Sequence, residues 1–253
     1  MDSQLLYNYG IATELILAPI VFISLFFITA SYGRHWKASW GPNLNPRIGW
    51  VLMELPCVVL FAGVYFQGVT VWRLATLTLF GLWELHYLQR TFVHPVLMRL
   101  GKSSMSVSVV AMGLLFNVIN APLNALALTH FSPSYSDGWL IDPRFIVGTV
   151  IFLVGFTINV YSDHILRNLR KPGETGYKIP YGGLFRWVTS PNYFGEIVEW
   201  CGWALATWSL AGVAFAAFTF ANLAPRARAH HLWYLSNFSG YPKKRKAMIP
   251  KLF

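Results

Sequence analysis

Six long apolar runs constrain this chain more than any other feature: residues 11–31, 50–66, 72–88, 105–128, 145–161 and 195–224. A bilayer crossing needs about 17–25 predominantly apolar residues, and the first five runs are of that size. In lipid every backbone polar group must find its partner within the chain, which for runs like these means helices. Composition agrees. Hydrophobic residues make up 55% of the chain and charged residues 12%, where a soluble domain carries roughly 25% charged residues. The expected fold class is all-α: a polytopic membrane helix bundle.

The sixth run is long for one untilted span and short for two ordinary ones, with Ser209 and Gly212 available as turn points. The basic residues favour two crossings. They fall in blocks at Arg34, Lys37 and Arg47; at Arg90, Arg99 and Lys102; at Arg167, Arg170, Lys171, Lys178 and Arg186; and in a tail from Arg226 to Lys251 that holds no acid. With the N-terminus outside and the sixth run split, all of the 20 lysines and arginines except Arg73 and Arg144 face the cytoplasm. Seven transmembrane helices are therefore expected, with the N-terminus outside and the C-terminus cytoplasmic. Six remain if that run is a single tilted helix or a re-entrant pair.

The net charge of +10 does not indicate nucleic acid, because the basic residues sit between apolar runs and not on one solvated face among stacking aromatics. Cys57 and Cys201 lie in apolar runs without CxxC spacing or a histidine cluster, so neither a disulfide framework nor a metal site is expected. The start MDSQLLYNYG lacks the basic region of a cleaved signal peptide, so the first run is expected to stay. No repeat or linker divides the chain. It reads as one membrane domain over 1–253, and as a monomer. The loop at 171–191, rich in proline and glycine, is the natural place for a lid.

Ionisable groups inside spans are costly unless they face a cavity or a partner, so they mark candidate sites. Glu54, Glu84, Asp163, Glu196 and Glu199 qualify. Glu54 near the start of the second run and Tyr87 at the end of the third share one depth at the cytoplasmic side. Asn159 and Asp163 lie four apart, Asn192, Glu196 and Glu199 follow i, i+4, i+7 spacing, and His230 and Tyr234, at the start of the tail, are again four apart if that segment is helical. Each set shares a helical face. A polar chamber open to the cytoplasm accounts for all of them. Other readings stay open: Glu84 and Glu199 as structural carboxylates, Arg170 and Lys171 as a membrane flank, and Tyr87 as part of the aromatic belt. Neither GxGxxG nor GxxxxGK[ST] occurs, so a nucleotide would bind among helix ends, with inner-loop arginines and lysines for its phosphates.

The segment NVYSDHILRNLRKPGETGYKIPYGGLFRWVTSPNYFGEIVEWCGWALATWSL, over 159–210, resembles the C-terminal region of steroid 5α-reductases. HYLQRTFVHP at 86–95 and HHLWYLSNFSGYPKKRKAMIPKLF at 230–253 resemble further segments of that family. The resemblance implies NADPH as cofactor, bound mainly within 155–253, and a steroid or other lipid-like enone bound mainly within 1–130. Carried over residue by residue, it gives Glu54 and Tyr87 the C3 carbonyl. It gives Arg90, Asn159, Asp163, Arg170, Tyr177, Asn192, Glu196, His230 and Tyr234 the cofactor pocket. The segment LGKSSMSVS lacks the proline of the family's version, so no phosphate contact is carried over to Lys102. The wider superfamily leaves two alternatives: a reductase of another lipid enone or polyprenol, and a membrane methyltransferase of the isoprenylcysteine type. The membrane expected is the endoplasmic reticulum in a eukaryote and the inner membrane in a bacterium.

Overall fold

The structure, a computed structural model, describes residues 3–100, 103–131, 135–171, 174 and 176–253, and leaves out the Asp137 side chain. Lys102, named above, lies outside the described residues, as do Pro172, Gly173 and Thr175 of the loop at 171–191. The chain is mostly helical. Its helices are α1 (Ser3–Phe27), α2 (Pro46–Tyr65), α3 (Leu74–Leu88), the short α4 (His94–Leu97), α5 (Val107–Leu126), α6 (Pro143–Asn168), α7 (Pro191–Thr207) and α8 (Leu210–Asn237). Two-residue strands, β1 (Asn43–Leu44) and β2 (Met105–Ser106), pair antiparallel where α2 and α5 begin.

Local sequence sets the helix ends. The Asn45 side chain accepts from the backbone N–H of Arg47 at 2.9 Å, and Pro46 holds the first position of α2, where its missing N–H costs nothing. Asp142 and Pro143 open α6 in the same way. The sixth apolar run breaks where the turn points were expected. Trp208 takes a left-handed φ of 45°, and the Ser209 hydroxyl caps α8 by accepting from Gly212 N–H at 3.1 Å.

Some bounds differ from expectation. Helix α1 begins eight residues earlier than the first run. Helix α8 continues past Ala224, through Pro225, to Asn237, so Arg226, Arg228, His230 and Tyr234 belong to a helix and not to a tail. Asp163 lies five residues inside the end of α6. The loop proposed as a lid is tied at one end: Thr189 and Ser190 N–H groups donate to the carbonyls of Lys246 and Ala247.

Five helices, α1, α2, α5 with its π-helical extension, α6 and α8, are long and apolar enough to cross a membrane. Their outward faces carry Ile16, Val59, Leu115 and Val150, an apolar exterior suited to lipid and not to water. The interior is aromatic. Trp83, Trp200, Trp203, Phe61 and Phe152 are buried together, with Trp83 stacked on Phe61 at 4.4 Å. The Trp83 and Trp203 indoles donate to the Cys57 carbonyl and the Asn124 side-chain oxygen, as buried indoles require.

Helices α6 and α7 run antiparallel with their backbones in close contact. A Cβ on Gly155 would lie 2.3 Å from the Glu199 nitrogen, and one on Gly202 would lie 2.3 Å from the Phe152 nitrogen. Glycine lets the two backbones touch, as small residues do between membrane helices. This seam sets Asn159 and Asp163 directly against Asn192 and Glu196.

Candidate active site

Two cavities meet at the polar end of the bundle. The larger, about 340 Å³, is lined by Met53, Glu54, His86, Tyr87, Phe116 and Trp200, among others, and falls in the size range of small-molecule sites. The second, about 280 Å³, is lined by Arg99, Arg167, Arg170, Asp163, Asn192 and the Ser103–Ser104 pair. Tyr32, Trp50, Arg90, Met105 and Tyr193 line both.

Glu54 and Tyr87 face the larger cavity from α2 and α3. The Asn117 amide, from α5, donates to the Met53 carbonyl at 2.8 Å and to Glu54 Oε2 at 3.2 Å, and so fixes the carboxyl. Pro56 removes an N–H from this stretch of α2, and a freed carbonyl there needs an outside donor. Tyr87 is 3% exposed, its ring set against Trp83 at 4.8 Å and Trp200 at 5.6 Å. Tyr87 is thus part of the aromatic core and not of an interfacial belt.

Arg90 stands at the junction. Its guanidinium lies 3.0 Å from Asp163 and 3.5 Å from Glu196, over the Trp50 ring at 4.8 Å. It is carried on a π-helical turn, Gln89–Val93, between α3 and α4; such turns are often found at functional sites. Asn159 donates to the Asn192 carbonyl and to Glu196, and Asn192 donates to Asp163 at 3.0 Å. The four-residue spacings read from the sequence therefore build one network. The i, i+7 member differs: Glu199 turns to α3, 2.8 Å from His86 Nδ1.

Arg170 lines the second cavity and donates to the Arg99 carbonyl at 2.9 Å, while Arg99 donates to the Arg170 carbonyl. Tyr177, His230 and Tyr234 line neither cavity and form a third group. Arg34 lies over the rings of Tyr177, Trp233 and Tyr234 at 4.6–4.7 Å, a cation–π cage. His230 stacks on His35 at 5.2 Å and borders Tyr193 at 5.5 Å, which connects this group to both cavities. His35 is held neutral far into acid, its pKa lowered to about 4 by burial and by the charges of Arg34 and Lys37.

Several residues escaped the reading of carboxylates and charge blocks. Asn117 and His86 are uncharged polar groups within apolar helices, and a wider search for any strong hydrogen-bonding group in a span finds both. Arg34 was one basic residue in a flank; its cage depends on α8 continuing as a helix. Glu14 on α1 is 1% exposed, and neither oxygen has a partner among the described residues. Glu84 is buried, and its Oε1 likewise lacks the neighbouring-helix partner that a structural role would supply.

The donors fit NADPH chemically. Arg90, Arg99, Arg167 and Arg170 line one cavity, and guanidinium forks suit phosphate groups. Arg34 Nη1 and Arg226 Nε are buried without partners among the described residues, which leaves donors to spare for an anion.

A family model described as 3-oxo-5-alpha-steroid 4-dehydrogenase matches residues 103–253. The mouse 3-oxo-5-alpha-steroid 4-dehydrogenase 1 is 45% identical over 254 residues, covering 100% of this chain and 99% of the relative. The human protein of that name is 44% identical, covering 96% and 98%. The steroid 5-alpha-reductase DET2 of Gossypium hirsutum is 42% identical, covering 100% and 99%. On these matches the chain belongs to the 3-oxo-5-alpha-steroid 4-dehydrogenase family, oxidoreductases that act on CH–CH groups.

Proposed function

We propose that this protein reduces the Δ4 double bond of 3-oxo-Δ4 steroids with NADPH, within the membrane and with the polar mouth of its site on the cytoplasmic side. The observation that carries this reading is the shared wall of the two cavities. An apolar chamber holding Glu54 and Tyr87 adjoins a chamber lined by arginines, with Arg90 common to both.

Reduction develops negative charge on the C3 carbonyl oxygen, and donors aimed at that oxygen lower the barrier. The Tyr87 hydroxyl donates to it. Glu54, positioned by Asn117, donates in its protonated form or orients the tyrosine. NADPH, when bound, supplies the hydride that reaches the β-carbon, C5; a proton goes to the α-carbon, C4. Arg90, Asp163, Asn159, Asn192 and Glu196 would hold the cofactor on a network already hydrogen-bonded or ion-paired within itself. Arg170, Tyr177, His230 and Tyr234 would complete the cofactor pocket, Arg170 as a cation suited to phosphate. Trp83, Trp200 and Phe215 exclude water behind the substrate.

The test is consumption of NADPH by purified protein against a panel of 3-oxo-Δ4 steroids, shorter lipid enones and a polyprenol, with product mass determined. Steroid-dependent oxidation, with a product two hydrogens heavier, is expected. Turnover of another lipid alone would move the substrate class, and thermal protection by S-adenosylmethionine but not NADPH would favour the methyltransferase reading.

A further inference from the structure

Among the polar side chains of the chamber to which the mechanism gives no task, one is held by a buried carboxylate. His86, next to Tyr87 on α3, lines the substrate cavity and is 3% exposed. Its Nδ1 lies 2.8 Å from Glu199 Oε1, and Glu199 is fully buried. Because Nδ1 is committed to Glu199, Nε2 is the nitrogen left for the cavity, and no hydrogen bond joins it to a described residue. The ring is fixed by Trp200 at 4.7 Å and Tyr87 at 4.9 Å. Glu199 sits on the α6–α7 seam, where Gly155 admits no side chain. The other charged groups around the ring are Glu54 from α2, Glu196 from α7 and Arg90 from the π-helical turn.

We infer that His86 is the proton donor to the α-carbon of the substrate and that Glu199 is its positioning and recharging partner; this rests on the reductase reading above. The resting pair carries two protons, one in the Nδ1···Oε1 hydrogen bond and one on Nε2, and is neutral overall, as its removal from water favours. After hydride addition to the β-carbon, the substrate is an enolate whose α-carbon holds the displaced electron pair. That pair forms the new C–H bond with the Nε2 proton. The N–H electrons stay on the imidazole, Nδ1 keeps the proton it shared with Oε1, and Glu199 is left as a carboxylate. A proton from water restores it. Tyr87 remains a hydrogen-bond donor to the carbonyl throughout, so polarisation and protonation fall to different side chains one residue apart.

The experiment reduces a 3-oxo-Δ4 steroid with NADPH in D2O and locates deuterium at the α-carbon by NMR, for wild type, His86→Gln and Glu199→Gln, with NADPH binding measured separately. Wild type should place deuterium on a single face. His86→Gln should lower kcat by ~10²–10⁴, the range of general acid catalysis, bind NADPH normally and distribute deuterium over both faces. Glu199→Gln keeps an oxygen for Nδ1 but cannot pass a proton, so it should lower kcat and raise the solvent isotope effect. Wild-type kcat and single-face labelling in His86→Gln would overturn the inference. Should that variant not fold, an unchanged kcat and isotope effect in Glu199→Gln would do the same. A wild-type protein that reduces no enone would instead remove the reading on which the inference rests.

Discussion

Arg90 and Asp163, 73 residues apart in sequence, form a buried ion pair at 3.0 Å that joins the helix bearing Tyr87 to the α6–α7 seam. With Asp163 removed, the buried Arg90 guanidinium keeps Glu196 at 3.5 Å but loses its shorter partner, a loss of up to about 3–5 kcal/mol. Asp163→Leu should therefore lower the unfolding temperature in detergent and abolish NADPH binding together. Arg90→Lys should not restore either, because one ammonium cannot reach Asp163 and Glu196 as a fork does. Wild-type unfolding in Asp163→Leu would show that the pair is not a structural tie.

The seam gives a second prediction. Adding a methyl at Gly155 places it against the Glu199 backbone, which cannot yield as a flexible side chain would. Gly155→Ala should cost about 1–3 kcal/mol and raise the Kd for NADPH, since parting α6 from α7 separates Asn159 from Asn192. Gly63→Ala serves as the control, because a Cβ there meets nothing within 4 Å. Equal unfolding temperatures for the two variants would contradict this account of the seam.

Much of this architecture was legible in the sequence. Span length gave the helices, and Ser209 with Gly212 gave the break between α7 and α8. The cost of a carboxylate in lipid pointed to Glu54, Asp163 and Glu196. Pairing between helices was not legible. Helical spacing grouped Glu199 with Asn192 and Glu196, but which neighbour each residue met depended on the rotation of α7 against α3 and α6. The extent of α8 was hidden for another reason. Arg226 ends the hydrophobic run, yet its guanidinium lies over the Tyr32 ring at 5.2 Å, so a charge that resembles a boundary is accommodated inside the fold.

The basic residues predict an orientation that labelling can test. Ser3 and Ser239 are both exposed, so single cysteines at these positions, with Cys201→Ser to remove the exposed native thiol, can be labelled from either side. An impermeant thiol reagent should reach Ser3→Cys from outside and Ser239→Cys from the cytoplasm. Labelling of both from one side would exclude seven crossings.

The proposed preference for NADPH assigns the 2′-phosphate to the arginine-lined cavity. Arg170→Ala should weaken NADPH more than NADH in equilibrium binding, because a 2′-phosphate is the charge that distinguishes them. Equal losses would assign Arg170 to a phosphate shared by both.

The most direct test of the proposed chemistry is the turnover number of Tyr87→Phe, measured beside Glu54→Gln and the double variant under saturating NADPH and steroid. Each lost donor removes an interaction that strengthens as charge develops on the carbonyl oxygen, a cost of ~10²–10³ in kcat. The single variants should show that loss while binding NADPH normally, and the double variant should fall little below the worse of the two, as groups acting as a unit do. Near-normal turnover in a folded, NADPH-binding Tyr87→Phe would contradict the account and leave the carbonyl without its principal donor.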